Sequence, residues 1–269
     1  MYAITGITGQ VGGALGNALL KQGLPVRAVV RDAGKGALWA ARGCDVALAD
    51  MNDASALTTA FAGADAVFIL PPSEFDPTPG YTQARETIDA IVAALTAARP
   101  AKVLCLSTIG ADAVQDNLLT QRTLIEQALG ALPIPVTFLR PGWFLENALW
   151  DVASARDDGV IHSFLMPLDK PVAMVATKDI GAMAATLIQQ DWTGNRVVEL
   201  EGPSELLLQV TAGGHGEGAD ELLEVNGAIL VDVEHIEDIV RKGSRVPKRE
   251  ELLVDLLELN FREVSRGAI

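Results

Sequence analysis

Short apolar and β-branched runs alternate with longer stretches of helical periodicity through the first two-thirds of the chain. Tyr2–Thr5, Val26–Val30, Asp45–Leu48, Asp65–Leu70, Lys102–Leu106 and Val136–Leu139 read as strands. Helices are predicted between them over Gln10–Gln22, Gly36–Arg42, Asp53–Ala62, Tyr81–Ala98 and Asn117–Leu129. Gly23, Gly43 and Gly63 follow three of these helices, where a left-handed residue ends a helix at little cost. Strands this continuously apolar are buried on both faces, and helical crossovers between them imply parallel order. The pattern predicts an α/β fold with a doubly wound parallel sheet, and a chain of 269 residues has room for an appended, smaller C-terminal α/β lobe. Residues 1–150 are expected to form the sheet domain, with 172–202 returning to it. Residues 151–171 and 203–269 are expected to form the smaller lobe.

The first strand leads straight into Gly6-Ile7-Thr8-Gly9-Gln10-Val11-Gly12-Gly13 and then an apolar helix. Strand, glycine turn and helix are the parts that hold a pyrophosphate, because N–H groups at the helix start and the helix dipole both attract an anion. Gly6 permits the tight turn, and Gly9 lets the backbone approach the phosphates. Gly12 lets the helix sit close on the strand, helped by Gly13 and Gly16. The spacing G-x-x-G-x-x-G is one residue longer than G-x-G-x-x-G, and close helix packing alone would also use such glycines. The flanking strand and helix favour a nucleotide cofactor on a Rossmann sheet, with Thr8, Gln10 and Val11 completing the turn.

Ligands of such sheets lie at the carboxyl ends of the strands, near the point where strand order reverses. After the second strand come Arg31 and Asp32, with Lys35 close behind. A basic residue there suits a 2′-phosphate and an acidic one the ribose hydroxyls, so NADP(H) is favoured over NAD(H), with Asp32 arguing the other way. After the third strand, Asp50 is placed to accept from an adenine amino group beside Met51, and Asp53 reads as an N-cap. Pro71 and Pro72 form a stiff edge after the fourth strand that would wall the cofactor. Ser107 and Thr108 follow the fifth strand, where a nicotinamide would lie. The sixth ends in Arg140-Pro141-Gly142-Trp143-Phe144-Leu145-Glu146-Asn147, with Pro141 against the cofactor.

Composition narrows the partners. A net charge of −14 argues against a nucleic-acid surface, and the one dense basic run, Arg241 to Arg249, is expected to be a solvated turn between helices. His162, His215 and His235 lack ligand spacing, so no metal is expected. No apolar run reaches membrane-spanning length, and a strand starting at residue 2 leaves no room for a targeting peptide, so a cytoplasmic protein is expected. Cys44 and Cys105 read as small core residues.

The opening T-G-I-T-G-Q-V-G-G, the V-V-R-D after the second strand and the A-D-M-N-D block resemble the NmrA-like branch of the atypical short-chain dehydrogenases/reductases. So do Thr123-Leu124-Ile125-Glu126 leading into T-F-L-R-P-G-W-F-L-E-N, and the later Thr177-Lys178-Asp179-Ile180-Gly181. The likeness covers residues 2 to 202. Beyond it, Gly213-Gly214-His215-Gly216-Glu217-Gly218 interrupts the helix and strand with which members usually continue. The resemblance implies an NADP(H)-binding Rossmann domain with a smaller lobe on the substrate side. Members include NADPH-dependent quinone and dye reductases, and also nicotinamide-sensing regulators that act through a protein partner.

Typical short-chain dehydrogenases place a tyrosine four residues before a lysine as proton donor. Here Tyr2 starts a strand, Tyr81 is followed four residues later by Arg85, and Arg122, in the helix before the sixth strand, cannot act as an acid near neutrality. Reducing a simple ketone makes an alkoxide that needs a proton, whereas a hydroquinone resembles a phenol with a pKa of about 10. The expected activity is therefore hydride transfer from NADPH to a quinone-like or conjugated acceptor, and the alternative is a non-catalytic NADP(H) sensor. Ser107 and Thr108 are candidate donors, Trp143 and Phe144 stacking walls, and Asn147 a polar anchor. Plainer roles stay open: Ser107 as a strand-end cap, the aromatics as core, and Glu146 as the partner of Arg140.

Overall fold

The computed structural model describes residues 1–158, 165, 171–202, 205–206, 223–225 and 229–231. They pack as two compact units, Met1–Glu146 with Met174–Gly202, and Asn147–Ala173 with Pro203–Ile269. The first unit is built on strands β1 (Tyr2–Thr5), β2 (Val26–Val30), β3 (Asp45–Leu48), β4 (Ala66–Ile69), β5 (Lys102–Leu106), β6 (Val136–Pro141), β7 (Trp143–Phe144), β9 (Arg196–Leu200) and the second half of β8 (Val172–Val175), whose first two residues belong to the second unit. Seven of them make one sheet in the order β3-β2-β1-β4-β5-β6-β9, every neighbouring pair parallel. Strand order reverses between β1 and β4. This is the doubly wound Rossmann sheet.

Helices α1 (Gln10–Lys21), α2 (Ala33–Ala40), α3 (Ala54–Phe61), α4 (Thr82–Ala98), α5 (Thr120–Gly130) and α7 (Thr177–Gln189) make the crossovers, α6 (Val152–Asp158) lying in the second unit. Because successive side chains on a strand point to opposite faces, each central strand feeds two cores. Ile4, Phe68, Leu104 and Leu106 pack under Val11, Leu15 and Leu19 of α1 and Ile180, Ala184 and Ile188 of α7. Ala3, Val67, Ile69, Val103 and Cys105 pack on the other face with Leu57 and Phe61 of α3, Ile91 and Leu95 of α4 and Ile125 of α5. Each fully buried side chain of this size contributes roughly 1.5–3 kcal/mol by leaving water.

Edge strand β3 departs from the expectation of strands covered on both faces, since its two ends are exposed. Helix α2 starts at Ala33, three residues before the predicted Gly36, because the Asp32 carboxylate accepts from Lys35 N–H at 2.7 Å and caps it there. Gly23, Gly43 and Gly63 all have positive φ, as expected after helices.

In the first unit the short β7 pairs in parallel with the end of β8, Trp143 opposite Met174 and Phe144 opposite Val175. In the second unit the start of β8 pairs antiparallel with β10 (Glu205–Leu206), and β11 (Leu223–Val225) pairs antiparallel with β12 (Ile229–Val231). The glycine run at 213–218, the basic run at 241–249 and all three histidines lie outside the described residues. No helix among the described residues is long and apolar enough to cross a membrane, and no group of three or more His, Cys, Asp or Glu there could hold a metal.

Two consequences are measurable. A Cβ at Gly181 would stand 2.3 Å from Ala14 Cβ and 2.8 Å from the Leu15 nitrogen, so α7 and α1 touch almost backbone to backbone. Gly181→Ala is expected to cost about 1–3 kcal/mol by overpacking, despite alanine's higher helix propensity. Urea melts should show part of that loss restored by adding Ala14→Gly. Cys105 is fully buried and its thiol is pushed up from 9.0 to about 12 by burial. Below pH 9 the thiol is neutral folded or unfolded, but between pH 9 and about 12 only the unfolded chain ionises it. Stability should fall there by an extra ~1.4 kcal/mol per pH unit, and Cys105→Ala should flatten that part of the slope.

Candidate cofactor and acceptor site

The end of β1 is tied across the point of strand reversal. The Thr5 hydroxyl donates to Phe68 O at 3.1 Å and accepts from Leu70 N–H at 2.8 Å, locking β1 to β4 where the glycine turn begins. Gly6 follows at φ +64°, and a Cβ there would meet the Leu70 side chain at 2.3 Å. The turn closes with Gly9 N–H on Gly6 O at 2.9 Å. Gly9 is the N-cap of α1 and has no side chain to satisfy the first-turn N–H groups, so these remain for an acceptor from elsewhere. A Cβ at Gly12 would stand 2.4 Å from Gly6 O, so only glycine lets α1 approach this closely. Gly13 and Gly16 serve packing against Ile7, Gly16 also against Trp39. Thr8 and Gln10 are exposed beside the turn, whereas the Val11 side chain is buried in the core, leaving only its backbone to face a ligand.

The carboxylates around the second and third strand ends are engaged. Asp32 caps α2, and Asp53 caps α3 through Ser55 and Ala56 N–H at 3.0 and 2.9 Å, as its sequence position predicted. Asp50 accepts from Asn52 N–H at 2.9 Å. Arg31 is 77% exposed, with only a loose 3.8 Å approach to Asp50. Lys35 is exposed on α2 and Met51 is half-buried. The sequence left Arg31 and Asp32 competing for one role, and the fold separates them: the acid is a cap and the base faces solvent.

After β4, Pro71 is buried and Pro72 exposed, and the N-terminal turn of α5 holds this edge. Gln121 accepts from Glu74 N–H at 3.2 Å and donates to Glu74 O at 2.8 Å, while Arg122 donates to Pro72 O at 3.4 Å and to Ser73 Oγ. Sequence reasoning missed both clamps, because they join segments about fifty residues apart. Tyr81 adopts φ +58° before α4 and donates its hydroxyl to Asn117 O at 2.9 Å.

At the ends of β5 and β6 a buried network replaces two expectations. Ser107 Oγ lies 2.5 Å from Glu126 Oε1, and Arg140 grips the same carboxylate through Nε at 2.9 Å and a terminal nitrogen at 2.7 Å. Hydrogen bonding to Glu126 raises the Arg140 guanidinium above its ordinary value, with Asp112 adding to the effect. Glu126, not Glu146, is thus the partner of Arg140. The Ser107 proton points at Glu126, and Thr108 donates to Ile109 O at 3.1 Å, so neither hydroxyl is the free donor that the sequence suggested. Pro141 is buried, Trp143 is half-buried, and Phe144 packs against the α1-side core, as the plainer reading of the aromatics allowed. Asn147 falls in the second unit, on the 3-10 turn Leu145–Trp150.

A model of the NmrA-like family matches residues 2–210. The chain belongs to the NmrA-like family. It is 32% identical over 206 residues to quinone oxidoreductase 2 of Escherichia coli strain K12, covering 76% of this chain and 69% of that protein. It is 31% identical over 210 residues to an NAD(P)H azoreductase of Xenophilus azovorans, covering 77% and 69%. Among solved structures, the NADPH complex of the Escherichia coli NADPH-dependent quinone oxidoreductase superposes with a TM-score of 0.66 at 30% identity, covering 77% of this chain and 71% of that one.

Two segments that carried the NmrA-like resemblance meet in this fold. Glu146, buried at the end of the R-P-G-W-F-L-E run, accepts from Thr177 N–H at 2.9 and 3.0 Å and from the Thr177 hydroxyl at 2.5 Å. The acid therefore caps α7, the helix that packs on α1. Glu146→Ala should leave a buried N–H and hydroxyl without a partner and cost about 1.5–3 kcal/mol, the range for bonds to a charged group. Denaturant melts check this, and Thr177→Val should lose less, since it keeps the backbone contact.

Proposed function

We propose that this NmrA-like protein is an NADPH-dependent oxidoreductase that delivers hydride to a quinone-like or otherwise conjugated acceptor. The observation that carries the reading is the glycine turn together with the largely exposed Arg31. A cradle that a single Cβ at Gly12 would fill, at 2.4 Å from Gly6 O, fits a pyrophosphate laid on the start of α1. No acidic side chain occupies the first turn of α1 to repel it. Arg31 and Lys35 are exposed cations at the place of a 2′-phosphate, and Asp32 is held away as a cap. The two relatives named above are a quinone and an azo reductase, which supports an acceptor of conjugated type.

In this reading the backbone of Gly6, Thr8, Gly9, Gln10, Val11 and Gly12 holds the phosphates. Asp50 and Met51 border the adenine, Pro71 and Pro72 wall the cofactor, and Ser107 and Pro141 flank the nicotinamide end. NADPH supplies the hydride when bound. The chain's own part is to orient the acceptor against it, an effect of position rather than proton transfer. Trp143, half-buried, is the stacking surface in this reading, since Phe144 packs against the α1-side core. With two tyrosines in the chain and the Tyr81 hydroxyl engaged on Asn117, a tyrosine–lysine proton relay has no place here. An acceptor whose reduced form tolerates negative charge needs none. No observation on the described residues favours the sensor alternative.

The test is NADPH consumption against small quinones and simple aldehydes, beside titration of both cofactors. Quinone turnover is expected with little on aldehydes, and with weak rate variation between about pH 6 and 8, because no side chain need titrate. Tight binding without turnover on any acceptor would overturn the enzyme reading. Arg31→Ala should weaken NADPH by about 1.5 kcal/mol, roughly tenfold, and leave NADH unchanged. That is the low end for a charged contact, because Arg31 is largely exposed and screened. Equal affinity for the two cofactors in the unmodified protein would overturn the NADPH assignment. Gly12→Ala should abolish binding of both.

A further inference from the structure

We propose that Ser107 acts as a hydrogen-bond acceptor for the carboxamide N–H of a bound nicotinamide, and that Glu126 is the positioning residue that holds it in that role. The proposal rests on the NADPH reading above and assigns a polarity to one contact within it.

The polarity follows from proton counting. A glutamate paired with arginine near neutral pH is an acceptor only, with no proton to give. Glu126 receives Arg140 Nε on Oε1 at 2.9 Å and a terminal Arg140 nitrogen on Oε2 at 2.7 Å, the forked geometry of a guanidinium–carboxylate pair. Ser107 Oγ stands 2.5 Å from Oε1, which lies within the range of a hydroxyl donating to a charged oxygen. The one hydroxyl proton of Ser107 is therefore spent. Its backbone N–H is spent as well, on Leu139 O at 2.7 Å in the β5–β6 ladder. What remains on the side chain is a pair of acceptor sites.

The network cannot readily turn over to free that proton. Arg140 is buried and forks onto both oxygens of Glu126, whose side chain is itself only 11% exposed, so the carboxylate is fixed in place. Ser107 itself is only 5% exposed, with its place set by the strand.

Ser107 directly follows β5, the strand next to β4, on the side of the reversal where the second half of a dinucleotide lies. A quinone or azo acceptor presents oxygen or nitrogen lone pairs and cannot donate to such a group. On the nicotinamide ring the carboxamide N–H is the donor available. A bond from it to a fixed acceptor would limit rotation of the ring and so decide which face is offered to the acceptor. Ser107 thereby acts on the cofactor, and proton donation to the substrate is not its task.

The experiment compares binding of NADP⁺ with binding of its 3-acetylpyridine analogue, in which a methyl group replaces the carboxamide nitrogen. Calorimetric titration of the unmodified protein, Ser107→Ala and Glu126→Gln reads this without turnover. The unmodified protein is expected to prefer NADP⁺ by about three- to tenfold, the worth of one neutral hydrogen bond. Ser107→Ala should bring the two within about twofold, by weakening NADP⁺ alone. Glu126→Gln, whose amide can donate to Ser107 in turn, should also shrink the difference. Both variants should keep the preference for NADP⁺ over NAD⁺, which is set at Arg31 and would not survive general damage to the site selectively. An unmodified protein that binds both analogues alike overturns the proposal, as does a Ser107→Ala variant that weakens both equally or neither. Failure of the unmodified protein to bind either dinucleotide would instead overturn the NADPH reading itself.

Discussion

Helix α1 is held between two backbone-distance contacts, and the rest of the first unit is arranged around them. On one side Gly12 lies against Gly6 O, and on the other Gly181 of α7 lies against Ala14 and Leu15. Neither contact tolerates a Cβ without movement. Close-packed interiors transmit such displacements instead of absorbing them, so a shift of α7 would reach the glycine turn through α1. This gives the Glu146–Thr177 cap a significance beyond its own hydrogen bonds. It fixes the start of α7, α7 fixes α1, and α1 aims the N–H groups at the turn.

The same economy governs the acidic side chains. A chain of net charge −14 is an unpromising host for a polyanionic dinucleotide if the whole charge is considered. Screening confines exposed charges to about 8 Å at physiological salt, so the local set decides. Asp32 and Asp53 are bound to helix starts, Glu146 to α7, and Glu126 to Arg140. The start of α1 has no acid in its first turn, and Arg31 is an exposed cation at the neighbouring strand end. These four acids stand where helix dipoles or a guanidinium balance them.

What could be read from the sequence was local. Strands β1, β2, β3 and β5 have the predicted bounds, because each is a short apolar run between turn residues. The Asp53 cap and the glycines after helices were legible for the same reason. Alanine-glycine-lysine-glycine after Asp32 looks like a loop by propensity, yet one capping bond starts α2 there, so the predicted start at Gly36 was late. The partners of Arg140 and Glu146 were beyond reach in kind. Arg140 and Glu146 sit six residues apart in sequence and look like a pair, but Arg140 lies on a sheet strand and Glu146 on a 3-10 turn after it. Their true partners, Glu126 and Thr177, come from other segments brought together only by β5–β6 pairing and the packing of α7.

Past the ends of β4 and β5, and at the starts of α4 and α5, several side-chain donors are engaged within the fold. Ser107 is committed to Glu126, Thr108 to Ile109 O, Arg122 to the Pro72–Ser73 edge and Tyr81 to Asn117. Such a set is badly matched to chemistry that must quench an alkoxide as it forms, because each proton in it already stabilises the fold. It agrees with the proposed hydride transfer to a conjugated acceptor, whose product anion is spread over the conjugated system and can collect its proton from solvent.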